Sequence, residues 1–151
     1  MAVKPIPEGY HSVTPYLVVR DADKTIKFLE KAFDAEVVFE PLRRPDGKIV
    51  HVEVKIGDSR VMMADETKEH RAMPAMLYVY VPNVDASYQL ALAAGGKSSK
   101  EPQDQFYGDR TASVRDPSGN RWEIGTHQED VSPAELKKRV DQMFKQGSKA
   151  A

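Results

Sequence analysis

The stretch KIVHVEVKI, residues Lys48–Ile56, decides the fold class. Val50, Val52, Val54 and Ile56 alternate with His51, Glu53 and Lys55, which is the pattern of a half-buried β-strand. The turn Gly57-Asp58-Ser59 leads from it into RVMMA, residues Arg60–Ala64, which is a second β-rich run. The polar residues of the strand over Lys48–Ile56 share one face, and that face is turned either to solvent or to a concave cavity.

A strand and a helix are predicted before this stretch. Residues Val13–Val19, VTPYLVV, are β-rich, and Pro15 within them is typical of an edge strand or a bulge. Asp21 is placed to cap a helix over Ala22–Phe33, where apolar residues recur at helical spacing. A short strand over Val37–Phe39 completes the order β-α-β-β-β.

The same order of elements recurs after a polar connector at Asp65–Arg71. A shift of 62 residues places Tyr16 on Tyr78 and Asp21 on Asn83. A period of about 60 residues indicates a duplicated module rather than a solenoid. The second module is predicted to contain a strand at Ala75–Val81, a helix from Asn83 to Ala94, a short strand near Lys97–Lys100, a polar loop EPQDQ, a long strand at Phe106–Arg115 and a last strand at Arg121–Thr126.

Residues 10–66 and 74–128 are therefore expected to form two modules of one α+β domain, because neither four-stranded unit buries a core alone. A C-terminal helix over residues 132–146 follows. Ser132 and Glu135 fit a capping box around Pro133. An apolar stripe on this helix predicts that it docks on the body of the protein or on a partner chain.

The composition excludes several classes of function. The chain has 151 residues, with 22 Lys and Arg against 23 Asp and Glu, and this balance argues against nucleic-acid binding. It has no cysteine, which excludes disulfides, thiolate nucleophiles and cysteine-ligated metals. The longest uncharged stretch, Ala72–Val84, is shorter than the roughly 20 apolar residues of a membrane span. The first residues, MAVKPIPEGYHS, lack the apolar core of a signal peptide, so we expect a cytoplasmic protein.

The two modules, opened by VTPYLVV and closed by DPSGNRWEIGTH, resemble the vicinal oxygen chelate superfamily of glyoxalases, bleomycin-resistance proteins and extradiol dioxygenases. The resemblance covers about residues 10–131. The stretches GYHSVTPYLVV, FYGDR, DPSGNRW and THQEDVSP are similar to its PhnB-like branch. The resemblance implies that each module curls into half a barrel, that the halves enclose a cavity, and that the protein is a homodimer.

The resemblance also implies four positions for metal ligands, on the first and last strands of each module. They are Thr14, Met62, Met76 and Glu123 here, and only Glu123 is a usual ligand for a divalent metal. We therefore expect no catalytic metal and no cofactor. The alternative is a metal-dependent lyase, isomerase or dioxygenase that uses Glu123 with His51 or His127.

Aromatic residues on the predicted strands and loops are the candidate ligand-binding set, although core packing explains strand aromatics equally well. They are Tyr16, Tyr78, Phe106, Tyr107 and Trp122. Arg110 either holds a ligand carboxylate or phosphate or pairs with Asp104 or Asp109. Glu123 is either a general base, a polar contact to the ligand, or the partner of Arg110 or Arg121.

Three hypotheses follow from these residues. The first is a metal-independent binding protein of the bleomycin-resistance type, which holds a small, partly aromatic organic molecule in its cavity. The second is the metal-dependent enzyme. The third is a structural dimer with a collapsed, filled barrel, and it predicts no cavity.

Overall fold

The computed structural model describes residues 2–150, with 148–150 described as helix backbone alone. The first module contains β1 (Tyr16–Val19), α1 (Ala22–Phe33), β2 (Glu36–Val37), β3 (Leu42–Arg43), β4 (Ile49–Ile56) and β5 (Ser59–Asp65). The second contains β6 (Met76–Tyr80), α2 (Val84–Ala93), β7 (Lys97–Asp104), β8 (Asp109–Arg115) and β9 (Arg121–His127). The C-terminal helix α3 (Pro133–Ala150) follows.

Each module forms its own sheet, with the same topology. The strand orders are β1-β5-β4-β2, with β3 also on β4, and β6-β9-β8-β7. The first strand of each module pairs in parallel with the last, and the other pairs are antiparallel. The predicted α+β fold with two repeated modules is confirmed. Among the described residues β1 and β6 do not pair with each other, so the sheets do not close into a barrel.

The second module differs from the prediction in two places. The EPQDQ stretch is not a loop, because β7 continues through it to Asp104 and pairs with β8 with an irregular register. Pro102 is tolerated there because β7 is an edge strand. The strand predicted from Phe106 begins at Asp109 instead. Residues 105–108 form a turn, in which Gly108 adopts a φ of +99° and its N–H donates to the Gln105 carbonyl at 3.2 Å.

Side chains cap the starts of the helices as the sequence predicts. The carboxylate of Asp21 accepts from the N–H of Lys24, and the amide oxygen of Asn83 accepts from Ala86. The hydroxyl of Ser132 accepts from Glu135 at 3.2 Å. These caps satisfy backbone donors that have no partner within the helix.

One hydrophobic core joins the two modules. Helices α1 and α2 contact each other, and they cover the inner faces of the two sheets. The ring of Phe33 on α1 lies 5.3 Å from that of Trp122 in the second sheet, and the hydroxyls of Thr25 and Ser118 are 2.8 Å apart. No helix of the described residues is long and apolar enough to cross a membrane.

The other face of each sheet carries no helix of its module. We call these surfaces open face 1, on the first module, and open face 2, on the second. Alternation along the strands places Tyr16, Val18, His51, Glu53, Arg60, Met62 and Ala64 on open face 1. It places Met76, Tyr78, Tyr80, Asp109, Thr111, Ser113, Arg121, Glu123, Gly125 and His127 on open face 2.

Candidate functional site

Trp122 is a core residue that also borders a cleft described below, and its expected role in ligand stacking stays a prediction. It is 2% exposed, and its indole N–H donates to the Asp116 carboxylate at 2.9 Å. Neighbouring residues of a strand point to opposite faces, so Trp122 and Glu123 cannot both be turned to the same cavity. Because Glu123 is turned to open face 2, Trp122 packs against α1.

Arg110 also lies away from Glu123. Its guanidinium donates twice to Asp85 at the start of α2, at 2.8 and 3.0 Å, and once to Asp104 at 3.2 Å. These carboxylates, Asp85 first, raise the pKa of Arg110. Of the alternatives for Arg110, the pairing with Asp104 is present. Its two terminal nitrogens, the guanidinium fork, are therefore not available to a ligand beside Glu123.

Phe106 and Tyr107 lie in the turn before β8. Their rings pack edge to face with centroids 5.2 Å apart, and the Phe106 carbonyl accepts from Arg139 of α3 at 2.9 Å. The hydroxyl of Tyr107 lies 3.4 Å from that of Tyr78. Of the predicted aromatic set, the structure therefore joins Tyr78 with Tyr107, while Tyr16 belongs to the other sheet.

Glu123 is buried on open face 2 and is paired. It is 7% exposed, and one of its oxygens accepts from Arg121 at 3.3 Å. Arg121 is itself held by the hydroxyl of Ser113, which accepts from its Nε at 2.9 Å. Pairing with Arg121 was one of the alternatives that the sequence left open for this carboxylate.

A network of hydrogen bonds centred on Asp109 occupies the neighbouring part of open face 2. Asp109 is 3% exposed, and its Oδ2 accepts from the hydroxyls of Tyr78 at 2.6 Å and Tyr80 at 2.9 Å. Its Oδ1 lies 2.7 Å from Nδ1 of His127, whose Nε2 lies 2.7 Å from Asp130. We call these five residues the Asp109 network.

Hydrogen-bond chemistry sets the charges in the Asp109 network. Ionised carboxylates only accept, so a histidine that bonds one carboxylate through each nitrogen carries both protons. Asp130 and then Asp109 raise the pKa of His127 accordingly. Burial pushes the pKa of Asp109 up, but the bonds from Tyr78, His127 and Tyr80 outweigh it and leave that pKa lowered. Burial, and then the bond to Asp109, raises the pKa of Tyr78, so this phenol stays a donor.

The donors present do not fit a catalytic divalent metal. Glu123 is bonded to Arg121, Thr14 offers a hydroxyl, and Met62 and Met76 offer thioethers, whereas such sites normally have three nitrogen or oxygen ligands from the protein. The two weaker candidates are also engaged. His127 bonds two separate carboxylates, and His51 lies 3.3 Å from Glu53. Among the described residues, no group of three or more His, Asp or Glu side chains is arranged to hold a metal ion.

A concave site lies on open face 1. It has a volume of about 560 Å³, which is in the range of small-molecule sites. Its lining combines strand residues with residues from two loops: Tyr16, Val18, Arg44, Ile49, Val50, Ala64, Asp65, Thr67 and His70. We call it the face 1 cavity.

A smaller cleft of about 270 Å³ lies between residues 9–15, the turn after β4 and the edge strand β6. The guanidinium of Arg60 lies over the ring of Tyr10 at 5.1 Å and reaches to 4.0 Å from Glu53. Burial, and then Glu53, raises the pKa of Tyr10. Cation–π stacking and ion pairing engage the charged groups that border this cleft, so it is the weaker candidate.

Sequence reasoning did not single out several residues of the Asp109 network and of the face 1 cavity. Tyr80 could have been found by alternation, because it lies two residues from Tyr78 on the same strand face. Asp109 was considered only as a possible partner of Arg110. Arg44 and His70 had no such signal. They lie in a turn and in the connector, which only the tertiary structure brings beside Tyr16.

Comparisons with known proteins agree with this architecture. The model of the Glyoxalase/Bleomycin resistance protein/Dioxygenase superfamily matches residues 9–124. An uncharacterized protein of Mycobacterium bovis is 35% identical over 136 residues, which cover 83% of this chain and 89% of that protein. An uncharacterized protein of Mycobacterium tuberculosis is equally similar, with 79% of its length covered.

Solved structures with a similar fold have lower sequence identity. TioX from Micromonospora sp. ML1 is 24% identical, with a TM-score of 0.61 over 81% of this chain and 100% of that one. A PhnB protein from Bacillus cereus is 19% identical, with a TM-score of 0.62 over 77% and 99%. A glyoxalase-related enzyme from Fulvimarina pelagi is 19% identical, with a TM-score of 0.61 over 78% and 88%. These likenesses concern the fold.

Proposed function

This chain belongs to the glyoxalase/bleomycin resistance protein/dioxygenase superfamily, and from that premise we propose that it binds a small, partly aromatic organic molecule without a bound catalytic metal. The observation that carries the proposal is the face 1 cavity, with about 560 Å³ of space. A cavity of this size argues against the collapsed, filled barrel. Tyr16, Val18 and Ala64 of the sheet form its floor, and together with the lining residue Val50 they suit an apolar, planar body.

A variant that fills the cavity tests this proposal. Ala64 lies on the cavity floor, so Ala64→Phe places a ring in the space that the ligand needs. The control Leu90→Phe adds a similar side chain at an exposed position of α2. A thermal-shift screen with planar aromatic compounds should yield compounds that stabilise the wild type and Leu90→Phe but not Ala64→Phe. Equal stabilisation of all three proteins would place binding elsewhere and contradict the proposal.

The metal-free part of the proposal has its own test. The untagged protein is treated with a chelator, incubated with Ni, Co, Zn, Mn or Fe(II), desalted and analysed for bound metal. We expect much less than one ion per chain, because the donors at the four family positions are a hydroxyl, two thioethers and a paired carboxylate. Near-stoichiometric metal that is lost in Glu123→Ala would favour the metal-dependent enzyme instead.

We also propose that the partner is a second copy of this chain, which covers the open faces. Large apolar side chains remain exposed there, including Leu42 at 57% and Val50 at 50% beside open face 1 and Met76 at 64% on open face 2. Apolar surface that is exposed in patches is typical of interaction sites. Light scattering should give a dimer mass for the wild type and for the control Leu90→Lys, and a monomer mass for Leu42→Lys with Met76→Lys. A wild-type monomer would contradict the dimer. Cytoplasmic location and the lack of nucleic-acid binding stay predictions.

A further inference from the structure

We propose that the molecule held in the face 1 cavity carries a carboxylate, which Arg44 binds through its two terminal nitrogens. This inference rests on the proposed function and names the chemical class of the ligand. The anion-binding residue is thus Arg44 and not Arg110, whose fork already binds Asp85 and Asp104.

The backbone around Arg44 holds this residue at the cavity. It lies in the turn between β3 and β4, where its N–H donates to the Lys48 carbonyl at 2.8 Å. Its own carbonyl accepts from Gly47 at 2.9 Å, and Gly47 has a φ of +87° that favours glycine. The turn thus fixes the point from which the side chain reaches the cavity.

The Arg44 side chain is oriented by one bond and leaves its fork free. Nε lies 3.3 Å from Oδ1 of Asp46, which also accepts from the N–H of Lys48 at 3.0 Å. Neither Nη atom has a hydrogen-bond partner among the described residues. Two parallel N–H groups of a guanidinium match the two oxygens of a carboxylate, and this pairing is among the stronger polar contacts in proteins.

Arg43 and Arg139 differ from Arg44 in this respect. Arg43, the neighbouring residue, donates to both oxygens of Asp23 at 2.8 and 3.0 Å. Arg139 donates to both oxygens of Glu129 at 2.8 and 3.1 Å. Both of these forks already bind a carboxylate of the protein, as the fork of Arg110 does. The fork of Arg44 has no such partner, and it lines a cavity.

The acidic group that lines the cavity does not compete for the cation. Asp65 is 6% exposed, and its two oxygens accept from the N–H groups of Ala22 at 2.8 Å and Ile49 at 2.7 Å. Its charge therefore stabilises the start of α1 and of β4. The nearby Glu66 accepts from the N–H of Ala72 at 2.9 Å.

Polar residues of the connector also line the cavity. Thr67 and His70 form a turn of the connector, in which the hydroxyl of Thr67 accepts from the N–H of His70 at 2.9 Å. The imidazole of His70 lines the cavity and is able to donate to an acceptor of the ligand. A ligand with an apolar body over Tyr16 and an anionic end at Arg44 matches this distribution.

A pair of probes that differ in charge and not in shape tests the inference. 2-Naphthoate and 2-naphthamide have the same ring system, but only the first is an anion. We expect the wild type to bind naphthoate about tenfold more tightly than naphthamide, which corresponds to about 1.4 kcal/mol. Arg44→Met should remove this preference and leave naphthamide affinity unchanged, because the apolar stem is kept. The control Arg71→Met removes a highly exposed arginine and should change neither affinity.

The outcomes separate this inference from the proposed function. Equal affinities of the wild type for both probes would overturn the carboxylate and leave the cavity proposal standing, and so would a preference that survives in Arg44→Met. If neither probe binds at a concentration of about 1 mM, the carboxylate inference and the cavity proposal are both overturned. An unchanged melting temperature of Arg44→Met shows that its loss of preference is not due to unfolding.

Discussion

Open face 1 and open face 2 have the same backbone register and different side-chain chemistry. On face 1 Tyr16 lies opposite Met62, which lies opposite Glu53. On face 2 the equivalent row is Tyr78, Glu123 and Ser113. The tyrosine is common to both rows, while the carboxylate has moved from one strand to its neighbour. Repetition of the backbone therefore does not imply repetition of the site.

The two faces also differ in how their polar groups are satisfied. On face 2 the buried carboxylate of Asp109 makes three hydrogen bonds of 2.6 to 2.9 Å. On face 1 the contacts of Glu53 are longer, 3.3 Å to His51 and 4.0 Å to Arg60, and the fork of Arg44 beside the cavity lacks a protein partner among the described residues. We infer that polar groups of face 2 mainly hold the fold and that those of face 1 are available for binding.

The largest expected effect follows from Asp109→Ala. This change leaves two phenols and an imidazolium without their buried acceptor, and loss of one member of a buried pair costs about 3 kcal/mol. The matched change on face 1, Glu53→Ala, should cost about 1 kcal/mol because its contacts are longer. Urea unfolding of both variants measures the difference. A larger loss in Glu53→Ala would reverse the assignment of roles to the two faces.

Gly125→Ala should produce the next largest effect. A Cβ atom at Gly125 would lie 2.7 Å from the ring of Tyr78, so the ring must move away from Asp109, at a cost of about 2 kcal/mol. The equivalent position on face 1 is Ala64, which borders the cavity instead. In a Tyr78→Ala background the same change should cost much less, and a double-mutant cycle measures this coupling. Additive effects would show that the ring is not the obstacle.

The Asp109 network should also give face 2 a pH-dependent stability. Because the pKa of His127 is raised, its contribution is complete below the ordinary value of 6.5 and declines as the pH rises through the raised pKa. Asp109 has a lowered pKa, so its contribution is complete above the ordinary value of 3.8 and is lost as the pH falls through the lowered one. The stabilisation is therefore greatest between these limits.

NMR titration of the imidazole checks the first of these limits. Asp130→Asn removes the larger cause of the shift and should move the pKa of His127 back toward its ordinary value. His127→Gln should abolish the loss of stability that the wild type shows as the pH rises above the ordinary histidine pKa of 6.5. A pKa of His127 at or below 6.5 in the wild type would be incompatible with a bond to a carboxylate at each nitrogen.

The smallest expected effect concerns Arg110. Its partners Asp85 and Asp104 are exposed, and surface ion pairs contribute little to stability. Arg110→Met should therefore cause a small shift in melting temperature and leave naphthoate affinity unchanged, in contrast to Arg44→Met. Calorimetric titration of the two variants side by side makes this comparison. A loss of affinity in Arg110→Met would restore Arg110 as the candidate for binding the ligand carboxylate.

The sequence alone determined the modules, and it did so through local signals. The alternation of the β4 stretch, which holds from His51 to Ile56, and the caps at Asp21 and Asn83 act within a few residues, and each is present in the structure. The family positions likewise identified Glu123 as the single usual ligand type among four.

Only the tertiary structure decided which polar groups are free. A sequence shows that Arg44 and Arg110 are both arginines, but not that Asp85 reaches one and that a cavity opens beside the other. It shows neither the three bonds to Asp109 nor the burial of Trp122 against α1. The physical reason is that backbone order follows from neighbours in the chain, whereas hydrogen-bond partners and burial depend on residues that are distant in the chain and meet only in the folded protein.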